Sequence, residues 1–220
     1  MPDPKVYILS GLGADERVFQ LLDFSGFEVV YVQWITPRPK ESIQAYAARL
    51  LQQIDADKPP ILIGLSFGGM MAIEIAKLIP TQKIILISSA KTKHEIPFYL
   101  RQLGRIHLDY IVPAPVLKQS NAVVNWFFGV HSDFEKKLLR QILNDMEPIF
   151  LKWAIHQVLN WQNESVPHQL VHIHGTSDRL LPCRYVKADQ LVNGGGHFMV
   201  LSHSGIVSQY IKSAIAEPVK

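Results

Sequence analysis

The stretch Gly64-Leu65-Ser66-Phe67-Gly68-Gly69 lies between an apolar run that begins at Ile61 and an apolar segment that stops at Pro80. The apolar run predicts a strand, and the serine flanked by glycines predicts a tight turn after it. The apolar segment that follows predicts a buried helix. Glycine two residues to either side of Ser66 leaves room for the turn to close. The serine side chain is therefore expected to project from the edge of a sheet.

Short apolar runs recur along the chain and alternate with segments of helical period. A helix that covers the sheet is predicted after the second run, because Ile43, Tyr46, Ala47 and Leu50 recur at steps of three and four residues. This alternation predicts an α/β fold with a mostly parallel six-stranded sheet flanked by helices. The predicted strands are Val6 to Leu9, Val29 to Trp34, Ile61 to Leu65, Ile84 to Ile87, Leu170 to Ile173 and Gln190 to Val192.

The segment 91–165 interrupts this alternation and carries helical rather than strand patterning. Asp133 is predicted to cap a helix that runs through Asn144, and Pro148 suits the first turn of a helix that continues to Trp161. We expect a single structural domain in which residues 1–90 and 166–220 form the core and residues 91–165 form an inserted helical cap.

The composition is that of a single soluble globular domain. The chain has 220 residues, of which 48% are hydrophobic, and a formal net charge of only +3. No run of five like charges is present, so neither nucleic-acid binding nor a polybasic membrane anchor is predicted. The first twenty residues lack the apolar core of an export signal, and the single cysteine fits a reducing compartment. These features predict a cytoplasmic protein and leave its oligomeric state open.

A serine hydroxyl is a weak nucleophile at neutral pH, so chemistry at Ser66 requires a histidine base and an acid that orients it. Asp178 follows the fifth predicted strand, and His197 follows the sixth in a glycine-rich loop. Both are therefore expected at the same edge of the sheet as Ser66. The amide of Phe67 lies at a helix N-terminus, where a free N–H and the helix dipole favour an oxyanion.

With Ser66, Asp178 and His197 in this chain order, the sequence resembles the α/β-hydrolase fold family. The resemblance covers most of the chain and implies that the amide of Leu12, in the loop Leu9-Ser10-Gly11-Leu12-Gly13, is a second oxyanion donor. Ser10 stands where histidine is common in the family, so different hydrogen bonds are expected to hold this loop. The resemblance also implies that the family's two leading antiparallel strands are missing.

The resemblance implies a hydrolase that cleaves a carboxylic ester or thioester of a small molecule through an acyl-Ser66 intermediate, without cofactor or metal. Alternative functions are a lyase that uses the same residues for acid–base chemistry, and a non-catalytic receptor for a small ligand. His172 and His174 share one face of a strand, but a serine hydrolase requires no metal there. Trp126, Phe127 and Trp153 are candidate substrate contacts, although aromatic residues at helical spacing also fit ordinary packing.

Overall fold

A computed structural model describes residues 5–105, 118 and 120–217. Its central feature is a six-stranded sheet in the order β2-β1-β3-β4-β5-β6, in which every neighbouring pair is parallel. The prediction of a mostly parallel six-stranded sheet is confirmed. The strands are β1 (Lys5–Leu9), β2 (Glu28–Val32), β3 (Ile61–Leu65), β4 (Lys83–Ile87), β5 (Leu170–Gly175) and β6 (Gln190–Val192).

Eight α-helices lie in the described ranges, and they pack on both faces of the sheet. Successive side chains of a strand point to opposite faces. Accordingly, Val6 and Ile8 belong to one buried cluster, and Tyr7 and Leu9 belong to the other. The helices are α1 (Ile43–Leu50), α2 (Phe67–Ala76), α3 (Phe98–Arg105), α4 (Ala122–Phe128), α5 (Asp133–Asp145), α6 (Pro148–Asn160), α7 (Met199–Ser202) and α8 (Ser204–Ala216).

Helices α3 to α6, here called the cap helices, lie in the chain between β4 and β5. Helix α5 is capped by Ser132 rather than by the predicted Asp133, because Ser132 and Glu135 form a reciprocal capping box. Leu139 of α5 joins the buried cluster on one side of the sheet, and Phe150 of α6 joins the cluster on the other. The division of the chain at residues 90/91 and 165/166 stays a prediction.

Four loops meet at the carboxyl edge of the parallel sheet. They follow β1, β3, β5 and β6 and carry Leu12, Ser66, Asp178 and His197, respectively. A parallel sheet gathers these loops at one edge, where ligands commonly bind in α/β folds. No helix in the described ranges is long and apolar enough to cross a membrane. The cytoplasmic location stays a prediction.

Candidate active site

Ser66 occupies a strained turn between β3 and α2. Its backbone has φ 53° and ψ −117°, a conformation that residues other than glycine rarely adopt and that costs roughly 1–3 kcal/mol. Two hydrogen bonds hold it: the Ser66 amide donates to the carbonyl of Ile87 at 2.8 Å, and the Ser89 hydroxyl donates to the Ser66 carbonyl at 2.6 Å. The neighbouring strand β4 therefore fixes the direction in which the Ser66 side chain points.

The glycines around Ser66 are required by close backbone approach. A Cβ atom at Gly64 would overlap the backbone of Gly68, on the far side of the turn. A Cβ atom at Gly68 would overlap the carbonyl oxygens of Leu9 and Ser10. Glycine at these two positions therefore closes the turn and also lets the loop after β1 approach the first turn of α2.

Ser66, His197 and Asp178 form a continuous chain of hydrogen bonds. The hydroxyl oxygen of Ser66 lies 2.9 Å from Nε2 of His197, and Nδ1 of His197 lies 2.8 Å from a carboxylate oxygen of Asp178. His197 and Asp178 are buried, whereas Ser66 is partly exposed. When Nδ1 donates its proton to the carboxylate, Nε2 is left free to accept the proton of the serine hydroxyl.

The carboxylate of Asp178 is held by its own loop. One oxygen accepts the amide N–H groups of Leu180 and Leu181 at 2.9 Å each, which leaves the other oxygen for His197. Burial alone would raise the pKa of Asp178, but the charge and hydrogen bond of His197 outweigh it, and the pKa lies below its ordinary value. Asp178 therefore stays ionised beside the imidazole.

Two further histidines lie behind the acid loop on β5. His174 is buried and donates Nε2–H to the carbonyl of Leu181 at 2.8 Å, which ties the loop of Asp178 to the strand. The ring of His172 packs edge-on against that of His174, and neither of its nitrogens has a hydrogen-bond partner among the described residues. Burial lowers the pKa of both side chains. In the part of the chain that the structure describes, no three potential metal ligands cluster.

The loop after β1 is held by a pair of side chains that includes one the sequence analysis missed. The Ser10 hydroxyl donates to the carbonyl of Ala14, and the indole N–H of Trp34 donates to the Ser10 hydroxyl at 2.9 Å. The Trp34 ring also packs against Phe67, with centroids 5.5 Å apart. Trp34 therefore contacts both segments whose amides are candidate oxyanion donors. In the sequence, Trp34 stands at the end of a predicted strand, which gives no sign of this role.

The backbone amides of Leu12 and Phe67 have the surroundings expected of such donors. Leu12 and Phe67 line the same cavity as Ser66. Phe67 is the first residue of α2, where an amide has no acceptor within the helix. Among the described residues, neither amide donates a hydrogen bond to another protein group. Both N–H groups are thus available to a ligand atom.

A model of the alpha/beta hydrolase family matches residues 6–209, which is nearly the whole chain. The protein belongs to this family. The strand order, the turn at Ser66 and the order of Ser66, Asp178 and His197 agree with the resemblance seen in the sequence. No curated protein sequence matches the chain.

Solved structures of other proteins share the α/β-hydrolase fold at low sequence identity. MenH from S. aureus is 18% identical, with a TM-score of 0.71 over 98% of this chain and 94% of that one. A thermophilic esterase from Thermogutta terrifontis is 16% identical, with a TM-score of 0.68 over 96% and 88%. The enol-lactonase from Burkholderia xenovorans LB400 is 15% identical, with a TM-score of 0.67 over 99% and 93%. These likenesses establish the fold.

A cavity of about 290 Å³ adjoins Ser66 and His197. Its floor comes from the hydrolase core, including Leu12, and its walls come largely from the cap helices. Phe128, at the end of α4, lines this cavity and packs edge-on against the ring of His197, with centroids 5.6 Å apart. The cap helices therefore contribute directly to the surroundings of the candidate base.

None of the three aromatic residues predicted to contact substrate lines this cavity. Trp126 and Phe127 are 54% and 40% exposed, because the face of α4 that carries Phe128 turns toward the cavity and they lie on the other faces. Arg179 stacks on the Trp126 ring at 4.6 Å and donates to its carbonyl. Trp153 is buried, and its indole N–H donates to the carbonyl of Glu41. Trp126, Phe127 and Trp153 are therefore absent from the lining of this cavity, and their contact with a substrate stays a prediction.

Proposed function

We propose that this protein is a serine hydrolase that cleaves the carboxylic ester or thioester of a small molecule through an acyl-Ser66 intermediate. The observation that carries the proposal is the chain of hydrogen bonds from Ser66 through His197 to Asp178. It lies beside a cavity that Leu12 and Phe67, whose amides are candidate oxyanion donors, also line. The family supports hydrolysis in general, and the names of the esterase and enol-lactonase neighbours denote ester cleavage.

In the first half of the reaction, Nε2 of His197 accepts the Ser66 proton while the serine oxygen attacks the carbonyl carbon. The negative charge that develops on the carbonyl oxygen is held by the amides of Leu12 and Phe67. Asp178 stabilises the imidazolium that forms. The imidazolium then donates its proton to the leaving alcohol or thiol, and the carbon–oxygen or carbon–sulfur bond breaks to leave acyl-Ser66.

In the second half, a water molecule takes the place of the leaving group. Nε2 of His197 accepts a proton from this water, whose oxygen attacks the acyl carbon in the same oxyanion site. The proton returns to the oxygen of Ser66 as the acyl bond breaks and the carboxylic acid leaves. His197 carries every transferred proton, so the cycle calls for no cofactor.

The direct test is hydrolysis of p-nitrophenyl butyrate by the wild-type protein, by Ser66→Ala and by Ser177→Ala. Ser177 is an exposed serine in the acid loop and provides a matched control. We expect Ser66→Ala to lose activity by a factor on the order of 10⁶ and Ser177→Ala to stay near the wild-type rate. Equal activity of Ser66→Ala and the wild type would contradict the proposal, as would a folded wild type that hydrolyses no ester.

A further inference from the structure

The polarity of the side chains that line the cavity determines which kind of acyl group can bind beside Ser66. Among the described residues that line the cavity, Ser66 and His197 carry the only polar side chains. All other lining side chains are hydrocarbon or thioether, as at Val124, Ile155 and Met146. Cap and core contribute alike to this apolar lining, so the property does not depend on a single element.

An apolar lining of this kind strongly disfavours the binding of a charged group. A carboxylate or ammonium group that enters the cavity loses its hydration, and the described lining offers no residue of opposite charge to compensate it. The acidic group nearest the site, Asp178, is buried behind His197 and already accepts three hydrogen bonds. A methylene group, in contrast, gains free energy from the same transfer.

The cavity is larger than the smallest acyl groups require. Its volume, about 290 Å³, leaves room for an acyl chain well beyond acetyl next to Ser66. We propose that the site takes an uncharged aliphatic acyl chain longer than acetyl, such as hexanoyl. This inference rests on the proposed function, because it assigns the substrate class of the same site.

Three esters of p-nitrophenol test the proposal with the wild-type protein: the acetate, the hexanoate and the monoester of adipic acid. Hexanoyl and adipoyl chains have equal length but differ in the terminal carboxylate. Full burial of a methylene corresponds to roughly a fourfold gain. We expect kcat/KM for the hexanoate to exceed that for the acetate by at least tenfold, and to exceed that for the adipate monoester by roughly a hundredfold or more.

Two variants on helix α6 locate the chain in the cavity. Ile155 lines the cavity and is partly exposed, so Ile155→Trp fills space without replacing a fully buried side chain. Ile149, on the same helix, is 61% exposed and does not line the cavity. We expect Ile155→Trp to lower kcat/KM for the hexanoate at least tenfold more than it lowers kcat/KM for the acetate, whereas Ile149→Trp, outside the cavity, changes neither value.

Binding to the Ser66→Ala protein separates this inference from the proposed function. The probes are the anilides of acetic, hexanoic and adipic acid, measured by titration calorimetry. Tighter binding of the hexanoyl anilide than of the other two supports the cavity inference even when no ester is hydrolysed. If esters are hydrolysed but the adipoyl compounds react and bind as well as the hexanoyl compounds, or if the acetyl compounds do, the inference is overturned and the hydrolase proposal stands.

Discussion

Replacing Asp178 with asparagine is predicted to leave the fold intact and to place His197 in the wrong tautomer. One carboxylate oxygen of Asp178 accepts the amides of Leu180 and Leu181, and the other accepts Nδ1–H of His197. Two backbone donors hold the asparagine oxygen on their side, so the asparagine NH₂ group faces His197. Because NH₂ is a donor, Nδ1 must become the acceptor and the ring proton moves to Nε2. Nε2 then has no lone pair for the hydroxyl proton of Ser66.

The expected loss of kcat is about 10⁴-fold, the size associated with the wrong tautomer in such an arrangement. Initial rates with saturating p-nitrophenyl butyrate measure it, and thermal unfolding checks that the variant is folded. Asp189→Asn is the matched control, since the Asp189 carboxylate bonds to the amide of His172 at 2.8 Å and not to His197. A loss of less than tenfold in folded Asp178→Asn would refute the orienting role of Asp178.

Three further predictions concern the supports of the site. Trp34→Phe keeps an aromatic ring but removes the N–H that donates to Ser10, so kcat for an ester should fall about tenfold with KM unchanged. A change in KM alone would contradict this role of Trp34. Burial holds the pKa of His172 well below its ordinary value, so the unfolded chain takes up the proton first as the pH falls. The free energy of unfolding should therefore drop below about pH 6.5 by up to roughly 1.4 kcal/mol per pH unit for this group. Urea unfolding at about pH 7.5 and 5.5 should show a smaller drop in His172→Leu, and an equal drop would contradict the assignment. Gly64→Ala should lower the free energy of unfolding, measured in urea, by about 3 kcal/mol, because the new Cβ atom meets backbone. Gly205→Ala, with open space around it, should raise the free energy of unfolding by about 0.5 kcal/mol, and similar values for the two variants would count against the packing argument.

The sheet was predictable because its strands are short apolar runs with clear ends. The run Ile61 to Leu65 was predicted at the bounds that the structure gives to β3. The strand predicted to end at Trp34 ends instead at Val32, which pairs with Leu9, the last residue of β1, whereas Trp34 packs on Phe67 and Phe150. Apolar character alone does not distinguish a strand residue from an aromatic residue that packs just after it.

The positions of Ser66, Asp178 and His197 were also predictable, since each follows a strand at the same edge of a parallel sheet. The cavity was harder to predict, because it depends on how short cap helices are oriented. Val124 and Phe128 are four residues apart and share the face of α4 that lines the cavity. Aromatic character favoured Trp126 and Phe127 as substrate contacts, whereas the four-residue spacing from Val124 places Phe128 on the face that lines the cavity. Arg179 lies far from α4 in the sequence, so its contact with α4 left no local pattern from which the orientation of that helix could be predicted.

Formation of acyl-Ser66 is the central claim, and intact-mass analysis of the protein quenched during turnover of p-nitrophenyl hexanoate tests it most directly. Because deacylation reuses His197, lowering the pH at the quench should preserve the intermediate. We predict a mass increase of one hexanoyl group in the wild type, located by peptide mapping to Ser66, and no increase in Ser66→Ala. Turnover that depends on Ser66 without any acylated protein would contradict the account and favour direct attack on the ester by a water molecule that His197 activates.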